Sequence, residues 1–184
     1  MTDDRFASRG GFIRRVLLHP DAVTDHYPFT LPAVRYLAES QGLPLPPGVT
    51  FLTGENGSGK STLLEAIAVA AGFNPHGESF VDLVLHRFGP RGLYLLDEPE
   101  AALSVRGCLA VLARFAELAA QGSQITVATH SPVLLALPDA TILEIADDGT
   151  ISTVDYDDAL PVRLTRDFLA APEKFLRHLL PDGR

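Results

Sequence analysis

Residues 54 to 62 read Gly54-Glu55-Asn56-Gly57-Ser58-Gly59-Lys60-Ser61-Thr62, and their types and spacing, G-x-x-x-x-G-K-[ST], suit the binding of a nucleotide's phosphates. The glycines let backbone N–H groups curl around phosphate oxygens. A helix starting directly after them adds unpaired donors and the positive end of its dipole. Lys60 stands where its ammonium reaches β and γ oxygens. The flanks agree: Val49-Thr50-Phe51-Leu52 is β-branched and apolar, as a buried strand should be, and Leu63 to Ala70 is built of helix formers. The bland alternative, a glycine-rich turn with a solvated lysine, does not require that strand–loop–helix context.

Two further strand tips carry chemistry. Leu93-Tyr94-Leu95-Leu96-Asp97-Glu98 is an apolar run ending in two carboxylates, which predicts a buried strand with an acidic tip. Asp97 there suits the coordination shell of Mg²⁺ opposite the Ser61 hydroxyl, and Glu98 suits the acceptance of a proton from an attacking water. An acidic turn at a sheet edge is the alternative. Ile125-Thr126-Val127 predicts another strand, and Ala128-Thr129-His130-Ser131-Pro132 sets a histidine at its end. A lone loop histidine is ordinarily just polar. Beside a phosphate loop and an Asp-Glu pair, contact with a γ-phosphate is the better reading.

The elements that must hold these residues are legible in outline. Ser104 reads as the N-cap of a helix through Ala120, with Val105, Cys108, Leu109, Leu112, Phe115 and Ala119 on one face and Gly122 as the stop. Thr141 to Ile145, Asp147-Asp148-Gly149 and Ile151 to Val154 predict a hairpin. Pro161 and Pro172 suit the first turns of two short C-terminal helices. Gly11-Phe12-Ile13 and Arg14 to Leu18 are expected to form antiparallel strands, with Arg14 and Arg15 on a solvated face. Pro44, Pro46 and Pro47 mark a rigid loop before the strand that feeds the phosphate loop. Tyr27 and Phe29 are expected in the core, with stacking on adenine as the alternative.

Composition sets the bounds. With 184 residues and 46% hydrophobic content, the chain suits one domain with a substantial core, spanning residues 1–184. A net charge of −8, from 15 Lys and Arg against 23 Asp and Glu, gives no clear nucleic-acid surface. It leaves room for ATP, which a few directed donors hold. The single cysteine, Cys108, falls in an apolar helical pattern and reads as a buried thiol, in keeping with a reducing cytoplasm. No membrane segment is expected, because Glu65, Arg114 and Glu117 interrupt the best apolar runs, and the acidic start is not a secretory leader. A cytoplasmic protein is the resulting expectation.

Gly54 to Thr62, Asp97-Glu98-Pro99-Glu100-Ala101-Ala102-Leu103-Ser104 and Thr129-His130-Ser131, taken together, resemble the ABC-type ATPases, closest to the small stand-alone bacterial members often called AAA family. The resemblance runs from about Phe12 to Leu180. It implies an α/β P-loop NTPase fold: a mostly parallel central sheet flanked by helices, with N-terminal antiparallel strands and a C-terminal hairpin plus helices. By the same resemblance Gly54 to Thr62 is the Walker A loop, Asp97 the Walker B aspartate, Glu98 the catalytic glutamate, Glu100 to Ser104 the D-loop and His130 the switch histidine. Ser61 and Asp97 are then the metal residues, ATP and Mg²⁺ the cofactors, and a head-to-tail homodimer enclosing two nucleotides the expected assembly.

The middle of the chain departs from that family. Asp97 follows Lys60 by 37 residues (97 − 60), room for the loop helix, one more helix and a return strand. ABC-type ATPases carry here a Q-loop glutamine and a helical lobe ending in a signature motif. This chain has no glutamine between Gln41 and Gln121, so the helical lobe is expected in reduced form around 73–90. His76-Gly77-Glu78-Ser79-Phe80 resembles a signature remnant with Pro75 in place of its serine, and proline supplies neither a hydroxyl nor an N–H. A helix N-cap turn explains the same residues equally well. Two functions follow: an ATPase using Glu98, or a nucleotide-binding module with impaired hydrolysis that acts through a partner. A GTPase is disfavoured because no Asn-Lys-x-Asp motif occurs.

Overall fold

Val49, Thr50, Phe51, Leu52 and Thr53 are all buried, as expected of a strand covered on both faces, and they form the centre of the sheet. In the computed structural model, residues 11–19, 22, 26–72 and 88–179 are described. The strands among them are β1 (Arg15–Val16), β2 (Leu43–Pro44), β3 (Gly48–Gly54), β4 (Leu93–Asp97), β5 (Gln124–Ala128), β6 (Thr141–Ile145) and β7 (Ile151–Val154). The α-helices are α1 (Pro32–Glu39), α2 (Lys60–Ala70), α3 (Val105–Ala120), α4 (Pro132–Leu135), α5 (Leu160–Ala170) and α6 (Pro172–Leu179), joined by 3₁₀ turns at Pro99–Ala102 and Tyr156–Asp158.

Five strands form one sheet in the order β4-β5-β3-β6-β7. The first four are parallel, and β7 returns antiparallel to β6 as the expected hairpin. β1 and β2 make a separate antiparallel pair, Arg15 opposite Pro44 and Val16 opposite Leu43. The fold is therefore α/β with a mostly parallel sheet, as the residue pattern led us to expect. Pro44 belongs to a short strand rather than to the rigid loop expected there.

The period of two along the strands divides the core. Phe51, Ile125, Val127 and Ile142 face one side and pack on Cys108, Val111, Leu112, Phe115 and Leu118 of α3, with Leu134 and Val162 beyond. Leu52, Ala128, Leu143 and Ile145 face the other and pack on Ala33 and Leu37 of α1 and on Leu63, Leu64 and Ile67 of α2. Helices on both faces of the sheet let its strands carry apolar residues on both sides; β4, outermost among the described strands, is only half-buried apart from buried Leu96 and the exposed Asp97 tip, a correction to the buried strand expected from its apolar run. Phe115 has no exposed surface, and replacing it by alanine costs about 3–5 kcal/mol on the scale of buried aromatic truncations.

α3 begins where the residues predicted: Ser104 caps it, accepting the Gly107 N–H at 3.3 Å. Its buried face differs from the expected one. Val105 and Leu109 are 64% and 54% exposed, and Val111 and Leu118 take their place in the core. Tyr27, expected in the core, is 70% exposed. Phe29 lines an apolar groove behind α2 with Leu18, Leu37 and Ile67. Most of the reduced helical lobe expected around 73–90, including Pro75 and His76 to Phe80, lies outside the described residues. Among the described residues no helix is long and apolar enough to cross a membrane.

Candidate nucleotide site

β3 delivers the chain to the phosphate loop through Gly54, whose φ of 145° and close neighbour both demand glycine. A Cβ there would lie 2.4 Å from the Ile145 carbonyl oxygen of β6. Glu55, Asn56 and Gly57 form the exposed bend, and Ser58 and Gly59 turn back into buried surroundings. Gly59, with φ 99°, is the left-handed cap of α2, and a Cβ on it would press on Ala33 at 3.3 Å. Ala33 also donates its N–H to the Ser58 carbonyl at 3.1 Å. The first turn of α1 thus buttresses the loop from behind. The motifs do not point to α1; its signal is amphipathic, in Pro32 at its first turn and the spacing of Ala33, Val34 and Leu37.

Lys60 opens α2 and is 5% exposed. Its ammonium donates to the carbonyls of Gly54 at 2.9 Å and Glu55 at 3.0 Å, folding the side chain back over the loop. Burial holds its pKa below the ordinary lysine value, and the charges of Glu98, Asp97 and Glu55 draw it partly back. Those carboxylates therefore act on the same ammonium. The first N–H groups of α2 have no acceptor four residues earlier within the helix and point toward the bend. Ser58 Oγ is buried and has no hydrogen-bond partner among the described residues, a polar atom left available to a ligand.

Two other strand ends close the site. Ser61 Oγ donates to Asp97 Oδ1 at 3.0 Å, tying the first turn of α2 to the end of β4. Two hard oxygen donors side by side fit Mg²⁺, which takes one or two protein oxygens and completes its shell with phosphate and water. Among the described residues no three His, Cys, Asp or Glu side chains gather as a metal cluster.

Glu98 lies beyond the strand, in left-handed conformation at φ 42° and ψ 53°, a correction to the extended tip expected from the apolar run. Its N–H donates to the Ala128 carbonyl at 2.9 Å, so β4 and β5 stay joined past their last ladder pair. His130 Nε2 stands 3.6 Å from Glu98 Oε1. The order β4-β5-β3 sets the β5 end between the acidic tip and the phosphate loop.

Glu100 is the residue whose contacts the sequence did not disclose. Its Oε1 accepts the Thr129 hydroxyl at 2.5 Å and the His130 N–H at 2.9 Å. The resemblance places it at the start of the D-loop and says nothing of its reach to Thr129 and His130. Thr62 is half-buried and lines the apolar groove behind α2.

The family described as AAA domain matches residues 30–84, a stretch that holds α1, β2, β3, the phosphate loop and α2. No curated protein matches the chain. The family match supports a nucleotide-binding, ATPase-like module and ends before Asp97, Glu98 and His130.

Proposed function

We propose that the chain is a single-domain ATPase that binds ATP with Mg²⁺ and hydrolyses it, in the manner of the ABC-type ATPases its motifs resemble. The observation that carries the reading is the convergence, at the C-terminal ends of β3, β4 and β5, of the Lys60 ammonium, the Ser61–Asp97 pair and the Glu98–His130 pair. In this reading residues 54–62 wrap the triphosphate, and Lys60 exchanges its loop carbonyls for β and γ oxygens. Ser61 and Asp97 hold Mg²⁺, which when bound neutralises the phosphate charge.

A water oxygen attacks the γ-phosphorus and gives its proton to Glu98, while the bond between the γ-phosphorus and the bridging oxygen breaks and ADP leaves with that oxygen. His130 donates a hydrogen bond to the γ-phosphate and, through Glu98, keeps base and phosphate in register. Two chains binding head to tail around two nucleotides would complete the site.

The test is Mg-ATP turnover and solution mass for wild type, Glu98→Gln and Lys60→Ala. Glu98→Gln is expected to lose about 10²–10⁴ in kcat, the range for a general base, while keeping ATP affinity and accumulating an ATP-dependent dimer. Lys60→Ala is expected to lose ATP binding. Wild-type turnover no faster than that of Glu98→Gln would sink the hydrolase reading. Nucleotide binding without turnover is the second reading, favoured by the short Lys60-to-Asp97 interval and its lack of glutamine.

A further inference from the structure

The geometry points to Glu100 as the positioning residue that holds His130 over Glu98, an inference that rests on the ATPase reading for its kinetic consequence but not for its structural one. Glu100 sits in the 3₁₀ turn Pro99–Ala102, two residues beyond Glu98, and its carboxylate reaches across to the end of β5. One oxygen takes both the His130 N–H and the Thr129 hydroxyl. Thr129 has no exposed surface, and its hydroxyl in turn accepts the Ser131 N–H at 3.0 Å. The peptide N–H groups of His130 and of the residue after it are thereby fixed by one short chain of bonds, Glu100 to Thr129 to Ser131. Thr129 is further tied to β3 by its own N–H, which donates to the Leu52 carbonyl at 3.0 Å.

The two acids of the β4 end approach the histidine differently. Glu98 Oε1 comes within 3.6 Å of the ring Nε2, too far for a hydrogen bond, and Nε2 has no hydrogen-bond partner among the described residues, whereas Glu100 bonds the backbone N–H. A carboxylate is well suited to the backbone bond, because hydrogen bonds to a charged acceptor are stronger than neutral ones and one oxygen serves two donors. The other oxygen, Oε2, is buried with no partner among the described residues. Burying it so is costly, and the bonds that Oε1 makes to Thr129 and His130 are what offset that cost. Glu100 touches none of the phosphate-loop contacts described above. Its loss should therefore leave ATP binding in place and misplace His130.

The variants are Glu100→Ala, Glu100→Gln, His130→Ala and the double Glu100→Ala/His130→Ala, made in the full chain. Glu100→Ala is expected to lower kcat by about 10- to 100-fold with KM for Mg-ATP within about threefold, the pattern of a lost transition-state interaction. Glu100→Gln, whose amide oxygen accepts the same two bonds, should recover to within about fivefold of wild type. The double variant should be no slower than His130→Ala alone, because residues acting as a unit do not add. Losses that multiply, or a KM that rises in step with the fall in kcat, would overturn the assignment.

The backbone amide of His130, followed by ¹H–¹⁵N NMR, reads the same bond without turnover. Its signal should move upfield and exchange faster in Glu100→Ala and stay near its wild-type position in Glu100→Gln. An unmoved His130 amide in Glu100→Ala overturns the proposal even if wild type proves inactive on ATP, whereas a shifted amide with an inactive wild type overturns only the ATPase reading. Should Glu100→Ala fail to fold, Thr129→Val, which removes the hydroxyl between Glu100 and Ser131, carries the test. It is expected to shift the Ser131 amide and to lower kcat, and an unchanged Ser131 amide would count against the relay.

Discussion

Ser61 Oγ lies 3.0 Å from Asp97 Oδ1, a hydrogen bond across 36 residues of sequence that joins the phosphate-loop helix to the acidic strand tip. Neither residue is buried, so the bond lies where solvent and ions reach it. Breaking it has a predicted consequence beyond stability. Ser61→Ala and Asp97→Asn should each weaken nucleotide binding in the presence of Mg²⁺ by about tenfold, the scale of one lost charge-assisted bond, and leave metal-free binding nearly unchanged. Calorimetric titration of ATP with Mg²⁺ and with a chelator checks this. Equal losses under both conditions would mean that the pair serves the fold and not a metal.

Lys60 supplies a pH dependence with a definite sign. Burial lowers its pKa from the ordinary value of 10.5, and the nearby acids only partly oppose that. In the free protein the unfolded chain then binds more protons between the lowered value and 10.5, so this residue's contribution to stability rises with pH across that interval. A bound triphosphate places negative charge at the ammonium and raises the pKa again. ATP affinity should therefore fall as pH climbs through the lowered value, with proton uptake on binding, before ordinary lysine titration begins. Calorimetry in buffers of differing ionisation enthalpy detects the uptake. Lys60→Arg should abolish it, since a guanidinium stays charged there.

What the residues disclosed in advance, and what they did not, follows from the range of the forces involved. The strand, loop and helix at 49–70 were legible because local propensity, glycine conformation and hydrophobic pattern agree there. The tips at Asp97 and His130 were legible because each follows a short apolar run. The buried face of α3 was not. Around the axis of an ideal helix, Val105 and Leu109 flank the Cys108-Leu112-Phe115 stripe on one side, and Val111 and Leu118 flank it on the other. Composition treats the two sides alike, and only the sheet beneath decides between them. The left-handed turn at Glu98 and the reach of Glu100 to Thr129 were likewise invisible, because both depend on β5 lying beside β4, a pairing between segments 31 positions apart in register.

Gln124 should prove a structural anchor at the far end of the same strand. Its side chain is buried, with Oε1 accepting the Ile13 N–H at 2.9 Å and Nε2 facing the carbonyls of Ile13, Pro46 and Leu45 at 2.8, 3.1 and 3.3 Å. One amide thus fixes both the N-terminal segment and the loop that enters β3. Gln124→Leu removes every one of these bonds and leaves buried backbone groups unpaired, which should cost about 2–4 kcal/mol. Urea unfolding gives the measurement. A loss below about 1 kcal/mol would mean that water replaces the amide without penalty.

Cys108, the sole cysteine, ties the reactivity of the chain to the packing of α3 behind the site. The thiol is 4% exposed in the first turn of the helix. Burial raises its pKa, the charge of Glu100 adds to that, and a hydrogen bond with Ser131 only partly offsets them. Thiolate is the reacting species, so a raised pKa and an occluded sulfur slow the same reaction twice. At about pH 8 a disulfide reagent should modify the native protein at least about 100-fold more slowly than the urea-unfolded chain. Val111→Ala, which opens a cavity one turn away in the same core, should speed the native reaction in proportion to its loss of stability, because the thiol is then reached through opening of the helix. A native rate that ignored the stability change would mean that reagent reaches the sulfur through the closed structure, and the thiol would then be far more accessible than its burial indicates.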